Sequence, residues 1–238
     1  MKEKIYTIPI NEAVESGSEC PFCLIEKKLE KESIEYTLGA AMMEPDYRIL
    51  CNEKGFCKTH ASLLFAEPNK LSLALVLDSQ LEAFRKKYDA EEKKLSPKKG
   101  LFKKQDAPSA FSELRKHSCV ICDKINSTLD RYGEVFFYMW KNDDTFRQKI
   151  LESKGFCMPH LYFLAELSQE HLHNPESFIK PMYEKQKKEL LRIQEEIHLF
   201  TLKFDYRNKD LPWGNAKDAP LRTLEKNVGY LYKNEDKE

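Results

Sequence analysis

Apolar residues recur along most of the chain at intervals of three and four, which is the spacing of one face of an α-helix. After the cysteine pair at 119 and 122, the apolar face is formed by Ile121, Ile125, Leu129, Tyr132, Phe136 and Met139. Residues 69–94 carry Leu73, Leu77, Leu81, Phe84 and Tyr88 on one face. A second long stretch carries Ile179, Tyr183, Leu190, Ile193, Ile197, Phe200 and Phe204. These stripes predict amphipathic helices that need packing partners.

The composition supports a helical fold. Only 8 glycines and 11 prolines occur among 238 residues, and Leu, Lys and Glu are abundant. This favours helices over turn-rich β-sandwiches and over α/β folds with glycine-rich phosphate loops. We therefore predict an all-α protein.

The charge balance limits the classes of partner. Lys and Arg number 39 and so do Asp and Glu, so no field of one sign draws the whole molecule to nucleic acid or to an anionic membrane. The first residues are charged, where a signal peptide would be apolar, and no window approaches the about 18 apolar residues of a membrane span. We expect a cytoplasmic protein. In that reducing compartment, seven cysteines indicate metal or redox chemistry before disulfides.

Six of the seven cysteines and two of the six histidines form two matching sets. Each set has a C-x2-C motif followed by GFC-x2-H, with 33 residues between Cys23 and Cys57 and 34 between Cys122 and Cys157. The candidate metal ligands are Cys20, Cys23, Cys57, His60, Cys119, Cys122, Cys157 and His160. Because the spacing repeats, we predict a tandem duplication of a zinc-clamped helical repeat.

Zinc is the favoured cofactor, with two ions per chain. Three thiolates and one imidazole are a common ligand set of structural zinc, and two pairs of close ligands complete its tetrahedron. An iron–sulfur cluster is the less favoured alternative. We expect each ion to lie within one repeat, because neighbouring segments meet at lower loop-closure cost. The alternative joins the C-x2-C of one repeat to the C-x2-H of the other.

Each repeat is predicted to contain a helix that opens at C-x2-C, a short helix near Tyr47 or Phe146, a helix after C-x2-H, and one long helix. The predicted organisation is an N-terminal segment at 1–17, a first repeat at 18–92, a Lys-rich linker at 93–109, and a second repeat with a C-terminal tail at 110–238. Cys51 lies outside both ligand sets and is interpreted as a core residue.

The chain also resembles a known family. The stretches IYTIPINEA, ECPFC, IEYTLGAAMMEPDYR, GFCKTH and NKLSLALVL are similar to those of an uncharacterised family of bacterial proteins, common in clostridia, the domain of unknown function 6062. The resemblance covers nearly the full chain, and its cysteine and histidine pattern maps onto the eight candidate ligands. It implies a cytoplasmic bacterial protein and brings no established activity.

No familiar catalytic motif is present in the sequence, which lacks the P-loop, the dinucleotide glycine pattern, G-x-S-x-G and H-E-x-x-H. Four protein ligands per ion would also leave no open position for a reacting water. We therefore favour a zinc-binding structural or adaptor protein that binds a macromolecular partner, most simply another protein, over an enzyme or a nucleic-acid binder. The alternative is a thiol-based redox sensor or oxidoreductase that uses zinc-bound cysteines.

Overall fold

The computed structural model describes residues 4–95 and 118–231, and this part of the chain contains α-helices and two short 3-10 helices but no strand. The all-α prediction is confirmed. The first five helices are α1 (Lys4–Glu15), α2 (Pro21–Leu38), α3 (Pro45–Lys54), α4 (Lys58–Ala66) and α5 (Lys70–Leu95). The remaining helices are α6 (Val120–Asn142), α7 (Asp144–Glu152), α8 (Met158–His171), α9 (Glu176–Leu202) and α10 (Ala219–Val228). The 3-10 helices span Ala40–Met43 and Tyr206–Asn208.

The order of helices follows the sequence pattern. Helices α2 and α6 begin one residue after the first cysteine of each C-x2-C motif, and α4 and α8 begin one residue after the cysteine of each C-x2-H motif. The long helices α5 and α9 follow, as the apolar stripes predict.

Two helices extend beyond the boundaries predicted for the repeats. The N-terminal segment contains helix α1, which buries Ile10, Ala13 and Val14 although Pro9 lies inside it. Helix α5 continues to Leu95 and so includes the first three residues of the predicted linker. Residues 96–109 of that linker lie outside the described residues.

The chain divides into two compact units. The first combines residues 1–28 with 128–238, and the second comprises residues 29–127. These units are assembled differently from the consecutive segments 18–92 and 110–238 that the sequence suggested. The division falls inside helices α2 and α6.

The first unit has an aromatic core. Edge-to-face ring contacts, with centroids 5.1–6.0 Å apart, join many of its phenylalanines, an arrangement that adds to the stabilisation from burial alone. The fully buried rings are Phe22, Phe136, Phe137, Phe146, Phe156 and Phe178. The aromatic residues after Cys122 thus contribute to packing, as their helical spacing indicated.

The second unit has a smaller, mainly aliphatic core. Its buried apolar side chains are Ile34, Leu38, Ala41, Cys51, Leu64, Leu73, Val76, Cys119, Val120, Ile121 and Ile125. Cys51 is fully buried, which confirms its interpretation as a core residue. Among the helices in the described part of the chain, none is both long and apolar enough to cross a membrane.

Candidate metal centres

The eight predicted ligands gather into two clusters of four. Site 1 consists of Cys20, Cys23, Cys157 and His160, and site 2 consists of Cys57, His60, Cys119 and Cys122. Within each cluster the potential ligand atoms all lie within 4.8 Å of one another. The expectation that each ion lies within one repeat is wrong. Each site instead combines the C-x2-C motif of one half with the C-x2-H motif of the other.

The local fold explains why each motif supplies two ligands to one point. The first residue of each motif precedes a helix, and the second lies three residues later in the first helical turn. Cys57 and Cys157 occupy the N-cap positions of α4 and α8 in extended conformation. Two helix N-termini therefore meet at each site, and their partial positive charge favours thiolate ligands.

A glycine reverses the chain ahead of each C-x2-H motif. Gly55 has a φ of 68° and Gly155 a φ of 75°, in the left-handed region that other residues rarely adopt. A side chain at Gly155 would also place its Cβ 2.9 Å from Oε1 of Gln186. These two requirements explain glycine at the turn that directs Cys157 to site 1.

The imidazole of each site presents Nδ1 to the sulfurs. In site 1, Nδ1 of His160 lies 3.5 Å from Sγ of Cys20, 3.4 Å from that of Cys23 and 3.1 Å from that of Cys157. The Sγ atoms of Cys23 and Cys157 are 3.5 Å apart. Site 2 has the same arrangement: its three Sγ atoms lie 3.2–3.3 Å from Nδ1 of His60, and Sγ of Cys57 lies 3.8 Å from that of Cys122.

These distances fit a single tetrahedral ion of the size of zinc. Zn–S bonds of about 2.3 Å and Zn–N bonds of about 2.05 Å would place sulfurs about 3.8 Å from each other and about 3.6 Å from the nitrogen. The sulfurs are too far apart for disulfides, which require about 2.05 Å. A four-iron cluster needs its ligands further apart, because each ligand binds a different iron. The donor set thus fits one tetrahedral ion per site.

Each histidine also faces a carboxylate with its other ring nitrogen. Nε2 of His60 lies 3.1 Å from Oε1 of Glu30, and Nε2 of His160 lies 3.6 Å from Oε2 of Glu26. A proton on Nε2 that points to a carboxylate leaves Nδ1 as the metal-binding nitrogen. Sequence reasoning missed both glutamates, although their four-residue spacing on α2 follows directly after a C-x2-C motif.

The thiols and the imidazole of site 2 shift each other's pKa. Burial lowers the pKa of His60, but hydrogen bonds to Cys119 and Glu30 outweigh it and raise the pKa to about 10. Burial raises the pKa of Cys119, and the hydrogen bond to His60 outweighs it and lowers the pKa to about 6. The pKa of Cys122 is raised by burial and by the neighbouring thiolates.

In site 1, which is more deeply buried, the pKa values of the histidine and of one cysteine shift in the same directions. Burial opposes the change for both partners, yet hydrogen bonds to the thiols raise the pKa of His160 to about 10, and the neighbouring thiols and His160 lower that of Cys20. Thiols and imidazoles bind a divalent ion in their deprotonated forms, so binding would release protons from these ligands.

Buried groups of the first unit surround site 1. The ring of Phe22 lies 5.7 Å from that of His160, and Phe156 precedes Cys157. Lys226 of α10 is 1% exposed, and its Nζ donates to the carbonyl oxygens of Glu19 and Lys154. Sequence reasoning did not identify Lys226, because a single lysine in a charged helix carries no signal.

The other histidines do not join either cluster among the described residues. The ring of His171 stacks on Phe137 with centroids 6.2 Å apart. His171 is the last residue of α8 and packs on an aromatic ring.

The model of a family of unknown function, DUF6062, matches residues 1–234 of the chain. No curated protein and no solved structure matches the chain.

Proposed function

The chain belongs to the DUF6062 family, and we propose that it is a zinc protein in which two Cys3His centres are structural and the folded chain binds a macromolecular partner. The observation that carries the proposal is the convergence of eight predicted ligands into two sets of four with the spacing of a tetrahedral ion. Three thiolates and an imidazole are donors that zinc prefers over harder cations.

Several features favour a structural role for the ions. The chain supplies four ligands to each site, and structural zinc sites are closed in this way, whereas catalytic ones keep a position for water. In site 1 all four ligands are at most 7% exposed. An ion held by four buried ligands stabilises the fold and does not reach a substrate.

The ions would supply a large part of the folding free energy. Structural zinc sites in small peptides contribute roughly 10–16 kcal/mol at neutral pH, which exceeds the ~5–15 kcal/mol total stability of a typical domain. Site 1 joins the N-termini of α2 and α8, and site 2 joins those of α4 and α6. Each ion would therefore fix segments far apart in sequence but within one compact unit.

Metal analysis of the purified protein tests the zinc assignment. We expect two zinc ions per chain by mass spectrometry of the native protein, without the visible absorption of an iron–sulfur cluster. Treatment with a strong chelator should lower both the helical signal and the melting temperature, and added zinc should restore them. A chain that purifies without metal, or that melts identically after chelation, would contradict the proposal.

The partner role is tested with the same preparations. Binding of a protein partner should require the zinc-loaded chain and should be lost after chelation, because the surface depends on the fold. The control is the variant Cys157→Ser, which lacks one ligand of site 1 and is loaded with zinc at site 2 only. Turnover of a small molecule by the intact protein would instead favour an enzyme.

A further inference from the structure

The two centres differ in how far their sulfurs are shielded from solvent. In site 1 the three cysteines are 0–7% exposed. In site 2 only Cys119 is buried, while Cys57 and Cys122 are half-buried. A dissolved oxidant can therefore reach two thiols of site 2 more easily than any thiol of site 1.

The two accessible thiols are also neighbours. Sγ of Cys57 lies 3.8 Å from Sγ of Cys122, so a closure of about 1.8 Å would reach the disulfide bond length. Both residues lie at helix N-termini, at the N-cap of α4 and in the first turn of α6. Both sulfurs are therefore accessible and close enough for a disulfide to form with a small movement.

Contacts that do not involve the ion hold the two segments together. The backbone N–H of Val120 donates to the carbonyl of Gly55 at 3.1 Å, and the hydroxyl of Ser118 donates to the carbonyl of Lys54 at 2.8 Å. Nζ of Lys54 also lies 2.5 Å from a carboxylate oxygen of Asp123. Cys57 and Cys122 would therefore stay adjacent after the ion has left.

We propose that Cys57 and Cys122 are an oxidation site, at which a hydroperoxide forms a disulfide and releases the ion of site 2 while site 1 keeps its ion. The inference rests on the proposed function, since it assumes that both sites hold metal. It assigns to the two sites different roles, one purely structural and one responsive to oxidant.

The chemistry needs one hydroperoxide per disulfide. One thiolate attacks the peroxide oxygen, the O–O bond breaks, and the products are a sulfenic acid and an alkoxide or hydroxide that takes a proton from water. The second thiolate then attacks the sulfenic sulfur, the S–S bond forms, and hydroxide leaves and is protonated. Two thiolates are oxidised, the peroxide is reduced to an alcohol or water and one further water, and two protons are consumed. The ion leaves because two of its four ligands are lost.

The experiment treats the zinc-loaded full chain with increasing hydrogen peroxide and follows released zinc with a colorimetric chelator. We expect release to stop at one ion of the two, and a dithiol reductant with added zinc to restore both. Digestion with trypsin places Cys119 and Cys122 in one peptide, so fragmentation between them must identify the partner of Cys57. The expected link is Cys57–Cys122.

A second measurement compares how fast the cysteines of the two sites are alkylated. Brief treatment of the zinc-loaded chain with N-ethylmaleimide should label Cys57 and Cys122 before Cys20, Cys23 and Cys157. In the peroxide experiment, Cys51→Ala serves as the matched control. It should give the same zinc release as the unaltered chain, because Cys51 is outside both sites. Joint release of both ions, a Cys20–Cys23 link, or no release at all would overturn the inference and leave the zinc assignment intact. Absence of zinc before oxidation would instead overturn the proposed function.

Discussion

Oε1 of Glu30 lies 3.1 Å from Nε2 of His60, and both side chains are more than 90% buried. The glutamate therefore orients the imidazole so that Nδ1 faces the three thiols of site 2. Glu26 lies one helical turn earlier on α2 and faces His160 at the longer distance of 3.6 Å.

Glu30→Ala should weaken metal binding at site 2, because removal of an outer carboxylate typically costs 10–100-fold in affinity. Glu30→Gln should retain part of the affinity, since its amide oxygen still accepts a hydrogen bond from Nε2. Competition with a chelator of known affinity measures the effect. Glu26→Ala is the matched control, which should leave site 2 unchanged. Equal losses at both sites in both variants would indicate general destabilisation instead.

The pairing of the ligands is tested by double variants. Cys20→Ser with Cys157→Ser removes two ligands of site 1 only, so the chain should still bind one ion at site 2. Cys20→Ser with Cys57→Ser removes a ligand from each site, so binding at both should fail or weaken. Ligand sets within each half would give the reverse result. Counting bound ions by native mass spectrometry distinguishes these outcomes even where the variants are less stable.

Metal affinity at site 2 should fall as the pH falls. The pKa of His60 is raised to about 10 and that of Cys122 is also raised, so at neutral pH the metal-free site carries protons that an ion must displace. Binding therefore releases protons, and the affinity should change by about tenfold per pH unit for each proton released. Calorimetry in buffers of different ionisation enthalpy counts these protons. An affinity independent of pH would contradict the predicted protonation states.

Lys226→Met should destabilise the first unit. Nζ of Lys226 donates at 3.0 Å to the carbonyl of Glu19 and at 2.6 Å to that of Lys154, and burial lowers its pKa. Replacement leaves both carbonyls without this donor, at a cost of about 2–4 kcal/mol for charged hydrogen bonds in a buried site. Chemical denaturation measures the loss. The control Lys180→Met concerns a solvent-exposed lysine and should change the stability by less than about 0.5 kcal/mol.

The sequence was sufficient to predict helices α2 to α9 and the eight residues that gather into the two clusters, but not helices α1 and α10. The three- and four-residue apolar spacing reports one face of a helix directly, and C-x2-C places two sulfurs on one helical turn. The duplication stays a prediction from the sequence. The sequence could not reveal which C-x2-C motif shares a site with which C-x2-H motif, because the two halves offer nearly identical ligands.

The loop-closure argument predicted the wrong pairing of C-x2-C and C-x2-H motifs because the difference in closure cost is small. Cys23 is 134 residues from Cys157 but only 34 from Cys57, which is a fourfold difference. Closure cost rises by only ~0.6 kcal/mol per doubling, or about 1.2 kcal/mol in total. The burial of Phe22 against Phe136 and Phe156 beside site 1 outweighs this difference. Such packing partners are distant in sequence, so they were not predictable from spacing.

The exchange of motifs between the halves also affects the order of events during synthesis. When residue 60 has been translated, the chain already holds two C-x2-C cysteines and one C-x2-H pair, which together form a full set of four zinc ligands in the wrong combination. Site 2 is complete only after Cys122 and site 1 only after His160. A zinc ion captured by this early set would have to change partners before the native pairing forms, so we expect the folding yield to depend on when zinc is supplied.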